Sequence, residues 1–161
     1  MDTGTKLNII KSLIYPHIMY CGIVYYNLLT KANKQILQKI QNASIRFVCR
    51  VPYGQHITPY LRELRELNIE RYMELYTGTF CHKLLLSGRP WYLCGMLIKR
   101  SQLHDTNIRV DTYHIPRHRG TKFRGCFAYI APTVLNRYQD YLELSDKVFK
   151  FRLRSILLEG M

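Results

Sequence analysis

The stretch Leu37-Gln38-Lys39-Ile40-Gln41-Asn42-Ala43-Ser44-Ile45-Arg46-Phe47 separates apolar from basic residues at helical spacing. With about 100° of rotation per residue counted from Ile36, the residues Ala43, Ile36, Phe47, Ile40, Val51, Ser44, Leu37 and Val48 share one arc of about 140°. That arc is the expected buried face. Lys39, Arg46 and Arg50 fall on another side, beside Gln35 and Asn42, as a cationic and amide stripe about 16 Å long. Such a stripe can follow nucleic-acid phosphates, whose affinity rests largely on Lys and Arg displacing counterions. It is also the pattern of a plain solvated face.

Working outward, the chain reads as mainly α. Thr30 is a plausible N-cap for this helix, which should end near Val51-Pro52. Upstream, Thr5 can cap a segment with Leu7, Ile10 and Ile14 on its apolar side, which Pro16 breaks or kinks. A second segment runs from Ile18 through Met19, Ile23 and Val24 to about Leu29. Downstream, Pro52-Tyr53-Gly54 is turn chemistry, and Thr58-Pro59 reads as a cap followed by Pro at the first helical position. Leu61, Leu64 and Leu67 are the expected inner side there, with Arg62, Glu63, Arg65 and Glu66 outside. A helix from Ile69 to Leu86 should bury Tyr72, Met73, Tyr76, Phe80 and Leu84 before Ser87-Gly88-Arg89-Pro90 stops it.

Residues 101–126 have little periodicity and read as a basic loop, with a short strand expected over Ile108 to Tyr113. Helical pattern returns at Phe127 to Tyr138. A last helix, capped by Ser145, should bury Val148, Phe149, Leu153, Ile156 and Leu157, with Lys147, Lys150 and Arg154 on the other side. The expected architecture is a helical bundle-like segment over residues 1–86, a basic, loop-rich connection over 87–126, and a C-terminal helical pair over 127–161.

Lys and Arg number 24 against 11 Asp and Glu among 161 residues, a formal charge of +13. The excess is uneven. Residues 1–60 hold seven basic residues and one acid, and residues 81–124 hold nine and two, around a balanced middle. Two basic blocks favour a polyanionic partner, nucleic acid first and an anionic membrane surface second. Five cysteines stand apart with no C-x-x-C, so a reducing, intracellular compartment is expected, nucleus or cytoplasm. Residues 7–29 approach a membrane span, but Asn8, Lys11, Pro16, His17 and Asn27 interrupt it. A Lys inside a span costs up to about 3.5 kcal/mol, so no membrane partner is expected.

Familiar catalytic patterns are absent. No Asp-Asp pair occurs, and there is no G-x-x-x-x-G-K-[ST], G-x-G-x-x-G or H-E-x-x-H. His114-x-x-x-His118 has the spacing of half a zinc site, without the C-x-x-C that would complete it. It reads as two histidines in a basic loop. The 13 tyrosines include Tyr25, Tyr26, Tyr53 and Tyr60 close to basic helices. Tyrosines so placed can stack on bases or fill the core and its edge, and the second is the reading preferred here.

Two segments taken together resemble a known family. The segment Lys6 through Gly22, set against that family's "l-y-x-s-x-i-x-P-x-x-x-Y-G", is similar to the start of the thumb in reverse transcriptases of non-LTR retrotransposons, the LINE class and its jockey-like branch. Leu37 to Arg46 is similar to that family's "l-q-x-i-Q-N-x-x-l-R", and His56, Pro59, Leu64, Leu67, Ile69 and Arg71 to the pattern that follows. Phe127 to Leu158 resembles its closing pattern, through Asn136 and Ser145-Asp146-Lys147-Val148-Phe149-Lys150. The chain departs at Leu135, where Trp is usual, and at Arg137-Tyr138, where Leu-Pro is usual.

The resemblance implies a thumb-like segment over 1–86 and a post-thumb segment over 127–161 of an RNA-directed DNA polymerase. Fingers, palm and the catalytic F/Y-x-D-D would lie upstream of Met1, so no catalytic residue carries over and the chain is expected not to be an enzyme on its own. The magnesium of such enzymes would likewise find no ligands here, and no cofactor is expected in this chain. The expected partners are an RNA template, an RNA–DNA duplex and the missing palm and fingers, with an exposed patch around Ile18, Met19, Ile23 and Tyr26 where the palm would pack. Phosphate contacts are expected from Lys39, Asn42, Arg46 and Arg50 first, from Arg117, Arg119, Lys122 and Arg124 second, and then from Lys147, Lys150 and Arg154. Two other readings stay open: a helical protein-interaction module derived from a mobile element, and a small membrane-associated protein.

Overall fold

A computed structural model describes residues 1–103 and 110–160. The described chain is mainly helical, as the sequence predicts, with nine α-helices linked by turns and short 3-10 segments. Its one β feature among the described residues is an isolated antiparallel bridge between Lys99 and Tyr113. The strand expected over Ile108 to Tyr113 lies partly outside the described residues. No described helix is long and apolar enough to cross a membrane.

Two compact units divide the chain: Met1–Met73 with Ile156–Met161, and Glu74–Ser155. The first cut falls inside the sixth helix, α6 (Ile69–Ser87), and the second inside the last, α9 (Asp146–Glu159). Both helices are unbroken, so the sequence carries no breaker at either cut.

The first unit opens with α1 (Thr3–Leu13), capped by Asp2 rather than Thr5. A short α2 (Tyr15–Met19) follows, and Pro16 sits in its first turn, where a missing N–H costs nothing. After α3 (Gly22–Tyr25), Thr30 caps α4 (Lys31–Cys49) by accepting from the Asn33 N–H. Ile18, Tyr26, Ile69 and Met73 form one core cluster, so two of the four residues expected to be exposed there are buried. Gly22 sits against the Met73 side chain, and a Cβ there would clash with the Met73 sulfur.

Arg50 ends α4 in the left-handed region (φ 56°). The chain then turns into α5 (Thr58–Glu63), where the cap position is Ile57, so Thr58 is the first helical residue rather than the expected cap and Pro59 follows it in the first turn. Ile45, Val51, Ile57 and Leu61 form a second cluster. One acid and one amide sit where apolar residues are usual. Glu66, expected outside, is 1 % exposed; it pairs with Lys11 at 2.6 Å and accepts from the Tyr72 hydroxyl.

The α4 face is rotated from the one expected. Gln41, Ser44, Ile45 and Val48 are buried, whereas Ile36, Ile40, Ala43 and Phe47 lie exposed. Gln41, fully buried, donates to the Leu67 carbonyl at 2.8 Å and to the Tyr15 hydroxyl at 3.2 Å. Satisfied in this way, an amide can occupy a core position that hydropathy assigns to a hydrocarbon.

In the second unit α6 continues, followed by α7 (Trp91–Cys94), α8 (Phe127–Arg137) and α9. Cys81, Leu84, Leu97, Tyr113, Ala131 and Leu135 make its core. His82 is fully buried, stacked on Phe149 at 4.1 Å between ring centres. In α9, Phe149, Leu153 and Leu157 are buried as expected, but Val148 is exposed. Ser101 donates to Asp111 through its N–H and its hydroxyl, and this clip, with Lys99 nearby, holds the Asp111 carboxyl below its usual pKa of 3.8.

Candidate nucleic-acid interface

The stripe expected on α4 divides by what its members touch. Lys39 and Arg50 are exposed. Arg46 is half-buried: its Nη2 donates to the Gln55 carbonyl at 3.1 Å, and its guanidinium lies 5.3 Å from the Tyr53 ring centre. Arg46 therefore braces the turn after α4, and Lys39 and Arg50 remain as the exposed charges of the stripe.

Asn42 faces a cleft of about 670 Å³ that sequence reasoning passed over. One wall comes from α4, which contributes Lys31, Lys34, Gln35, Gln38 and Asn42. The turn before α5 adds His56, Ile57 and Thr58, and the start of α6 adds Asn68, Glu70 and Arg71. Tyr26, Leu61 and Gly160 complete it. All belong to the first unit. The sequence does hold a signal for this wall: Lys31, Gln35, Gln38 and Asn42 recur at three and four residues, the spacing of one helix face.

Hydrogen bonds fix the polarity of the cleft. The Ile69 N–H donates to Gln38 Oε1 at 3.2 Å, so the Gln38 amide nitrogen points the other way. That nitrogen donates to Gln41 Oε1 and to Asn42 Oδ1, both at 2.9 Å. The Asn42 oxygen is thereby used, and its NH2 is left as a donor. Asn68 repeats the arrangement at the start of α6, where its Oδ1 accepts from the Arg71 N–H at 2.9 Å. A backbone N–H can only donate, so the orientation of each chain follows from its anchor.

The cations of the cleft are also held. Lys34 sits with its ammonium 4.7 Å from the Tyr26 ring centre. Arg71 donates to the carbonyls of Leu157 and Gly160. Burial, helped by Glu70 and Tyr25, pushes the Tyr26 phenol up to about 12, so it stays neutral at physiological pH. Lys31, Lys34 and Arg71 face one carboxylate, that of Glu70.

The second unit carries the other expected residues. Arg117, Arg119, Lys122 and Arg124 are exposed, and the last two lie on a 3-10 turn, Thr121–Gly125, in the expected loop. Arg124 Nε donates to His118 Nε2 at 2.6 Å, and the His118 ring lies 4.9 Å from that of Tyr129. Lys147 and Lys150 are exposed on α9, and Arg154 is half-buried. Among the described residues no three His, Cys, Asp or Glu side chains gather in a way that could hold a metal ion.

No protein-family model, curated protein or solved structure matches this chain.

Proposed function

We propose that this chain is a helical module that grips nucleic acid by its backbone, serving as the thumb and post-thumb portion of a non-LTR retrotransposon reverse transcriptase. The observation that carries this reading is the gathering of cations along α4: Lys31 and Lys34 in the cleft, Lys39 and Arg50 on the exposed stripe. A polymerase must slide along any sequence, so a grip by charge and shape, on template RNA and on the RNA–DNA duplex, is the mode that suits it. The chemistry of polymerisation belongs to a palm, and the residues described here contribute binding alone.

The test is fluorescence anisotropy with labelled single-stranded RNA and an RNA–DNA duplex across a range of salt. With about four to six phosphate contacts, the log–log slope of affinity against salt should lie between roughly −3 and −5. Replacing Lys39 and Arg50 with Gln should flatten it by up to about two contacts, and replacing Lys147 and Lys150 by less. Primer extension with magnesium should show no incorporation. Salt-independent or absent binding would remove this reading.

One observation favours a second reading, a protein-interaction module. Ile36, Ile40 and Phe47 lie solvent-accessible along one face of α4, a pattern that fits a partner helix. Absent nucleic-acid binding together with concentration-dependent association would favour it.

A further inference from the structure

We propose that the cleft between α4, α5 and the start of α6 is a subsite for one nucleotide of a single strand, a nucleoside phosphate unit rather than a stretch of duplex. The inference rests on the nucleic-acid reading above for the class of polyanion, and on the cleft itself for the rest.

Size comes first. About 670 Å³ lies within the range of small-ligand pockets, and its wall on α4 runs from Lys31 to Asn42, about 16 Å. The second point is polarity. Asn42 and Asn68 each spend their carbonyl oxygen on the protein and keep an NH2, one fixed through Gln38 and the Ile69 N–H, the other through the Arg71 N–H. Lys31, Lys34 and Arg71 have only donors to offer. A cleft so rich in donors selects a ligand rich in acceptors. A nucleoside phosphate supplies them in two places, its phosphate oxygens and the carbonyl and ring-nitrogen acceptors of its base.

The placement divides the work. Lys31 and Lys34 sit one helical turn apart at the start of α4, and Asn42 lies two to three turns further along the same wall. The two ammonium groups take the phosphate, and the two amides take the base. The cation–π contact with Tyr26 and the helix cap at Asn68 hold Lys34 and the Asn68 amide in place before a ligand arrives, which lowers the entropy cost of binding.

The experiment follows side-chain amide and backbone resonances of the 15N-labelled full chain during titration with uridine 5′-monophosphate, uridine and inorganic phosphate. Anisotropy with single-stranded RNA runs in parallel. Uridine 5′-monophosphate should move the Asn42 and Asn68 NH2 signals saturably and bind at least several-fold tighter than either uridine or phosphate. The Lys31→Gln/Lys34→Gln variant should lose this response, and its RNA affinity should fall roughly tenfold or more at moderate salt. Asn42→Ala, which leaves the α6 cap intact, should weaken the nucleotide and spare phosphate. Equal affinity for phosphate and nucleotide would overturn the proposal in favour of a phosphate site. No saturable shift, or an unchanged response in the folded lysine variant, would overturn it outright. RNA binding with a silent cleft would leave the proposed function standing without this subsite. Nucleotide binding without RNA binding would keep the cleft as a nucleotide pocket but overturn its assignment to a strand, and would remove that function.

Discussion

Asn136 engages both backbone groups of Tyr113: its Oδ1 accepts from the Tyr113 N–H at 2.7 Å, and its Nδ2 donates to the Tyr113 carbonyl at 2.8 Å. A side chain thus does for Tyr113 what a neighbouring strand would do. It fixes the end of the 110–113 segment while the Tyr113 ring enters the core of the second unit. Asn136→Asp keeps the acceptor and loses the donor, and should destabilise by about 1–3 kcal/mol. Asn136→Leu loses both bonds and should cost more. Denaturant midpoints measure the difference, and unchanged midpoints would show that the clamp is dispensable.

The Lys11–Glu66 pair is lopsided, since the Lys11 side chain is 41 % exposed and that of Glu66 is 1 % exposed. Removing either partner should therefore not cost the same. Lys11→Met leaves a buried carboxylate without its ammonium, and should cost toward the lower end of the roughly 3–5 kcal/mol seen for broken buried pairs. Glu66→Gln keeps an acceptor for the Tyr72 hydroxyl and lets Lys11 turn to water, for about 1 kcal/mol. Thermal melts of the two variants give the comparison; equal losses would contradict it.

Cysteine reactivity should be graded in the same way. Cys21 is exposed, whereas Cys81 is fully buried, and burial pushes its thiol up to about 12. Cys94 is partly covered and donates to the Leu84 carbonyl at 3.6 Å. Alkylation near neutral pH, followed by mass spectrometry, should label Cys21 first and Cys81 only on unfolding, because the thiolate is the reacting species. Early modification of Cys81 would place it in a looser region than its packing indicates.

Arg50 occupies the left-handed region that glycine adopts without strain. Arg50→Gly should therefore leave stability unchanged or raise it by up to about 1 kcal/mol, while removing one cation from the α4 stripe. A raised melting temperature with a flatter salt slope is the expected pair of results. A drop in stability would mean that the Arg50 side chain does more for the fold than its exposure indicates.

Helix positions and several of their ends were legible in the sequence because caps and prolines act locally. Thr30 caps α4, and Pro16 and Pro59 sit in first turns, as their chemistry requires. Which way α4 faces was not legible. Ile36, Ile40 and Phe47 define the stronger apolar arc, yet Gln41 goes inside because the Leu67 carbonyl and the Tyr15 hydroxyl, 26 residues away in each direction along the chain, satisfy it. Glu66 is inside for the same kind of reason. Periodicity reads hydrophobicity and cannot see a distant hydrogen-bond partner. The cleft escaped notice likewise: the donor character of Asn42 and Asn68 depends on what their oxygens bind, which no single residue type reveals.

Gly160 lines the cleft, and its carbonyl accepts from Arg71. A peptide fused at Gly160 would leave the chain from the lining it shares with Lys31, Lys34 and Arg71. A polyhistidine or acidic purification tag at that end would crowd the cleft or shield its charge, and could be mistaken for weak affinity of the protein itself. Fusions belong at the other end of the chain, and a fluorophore on exposed Cys21 reports from outside the cleft lining.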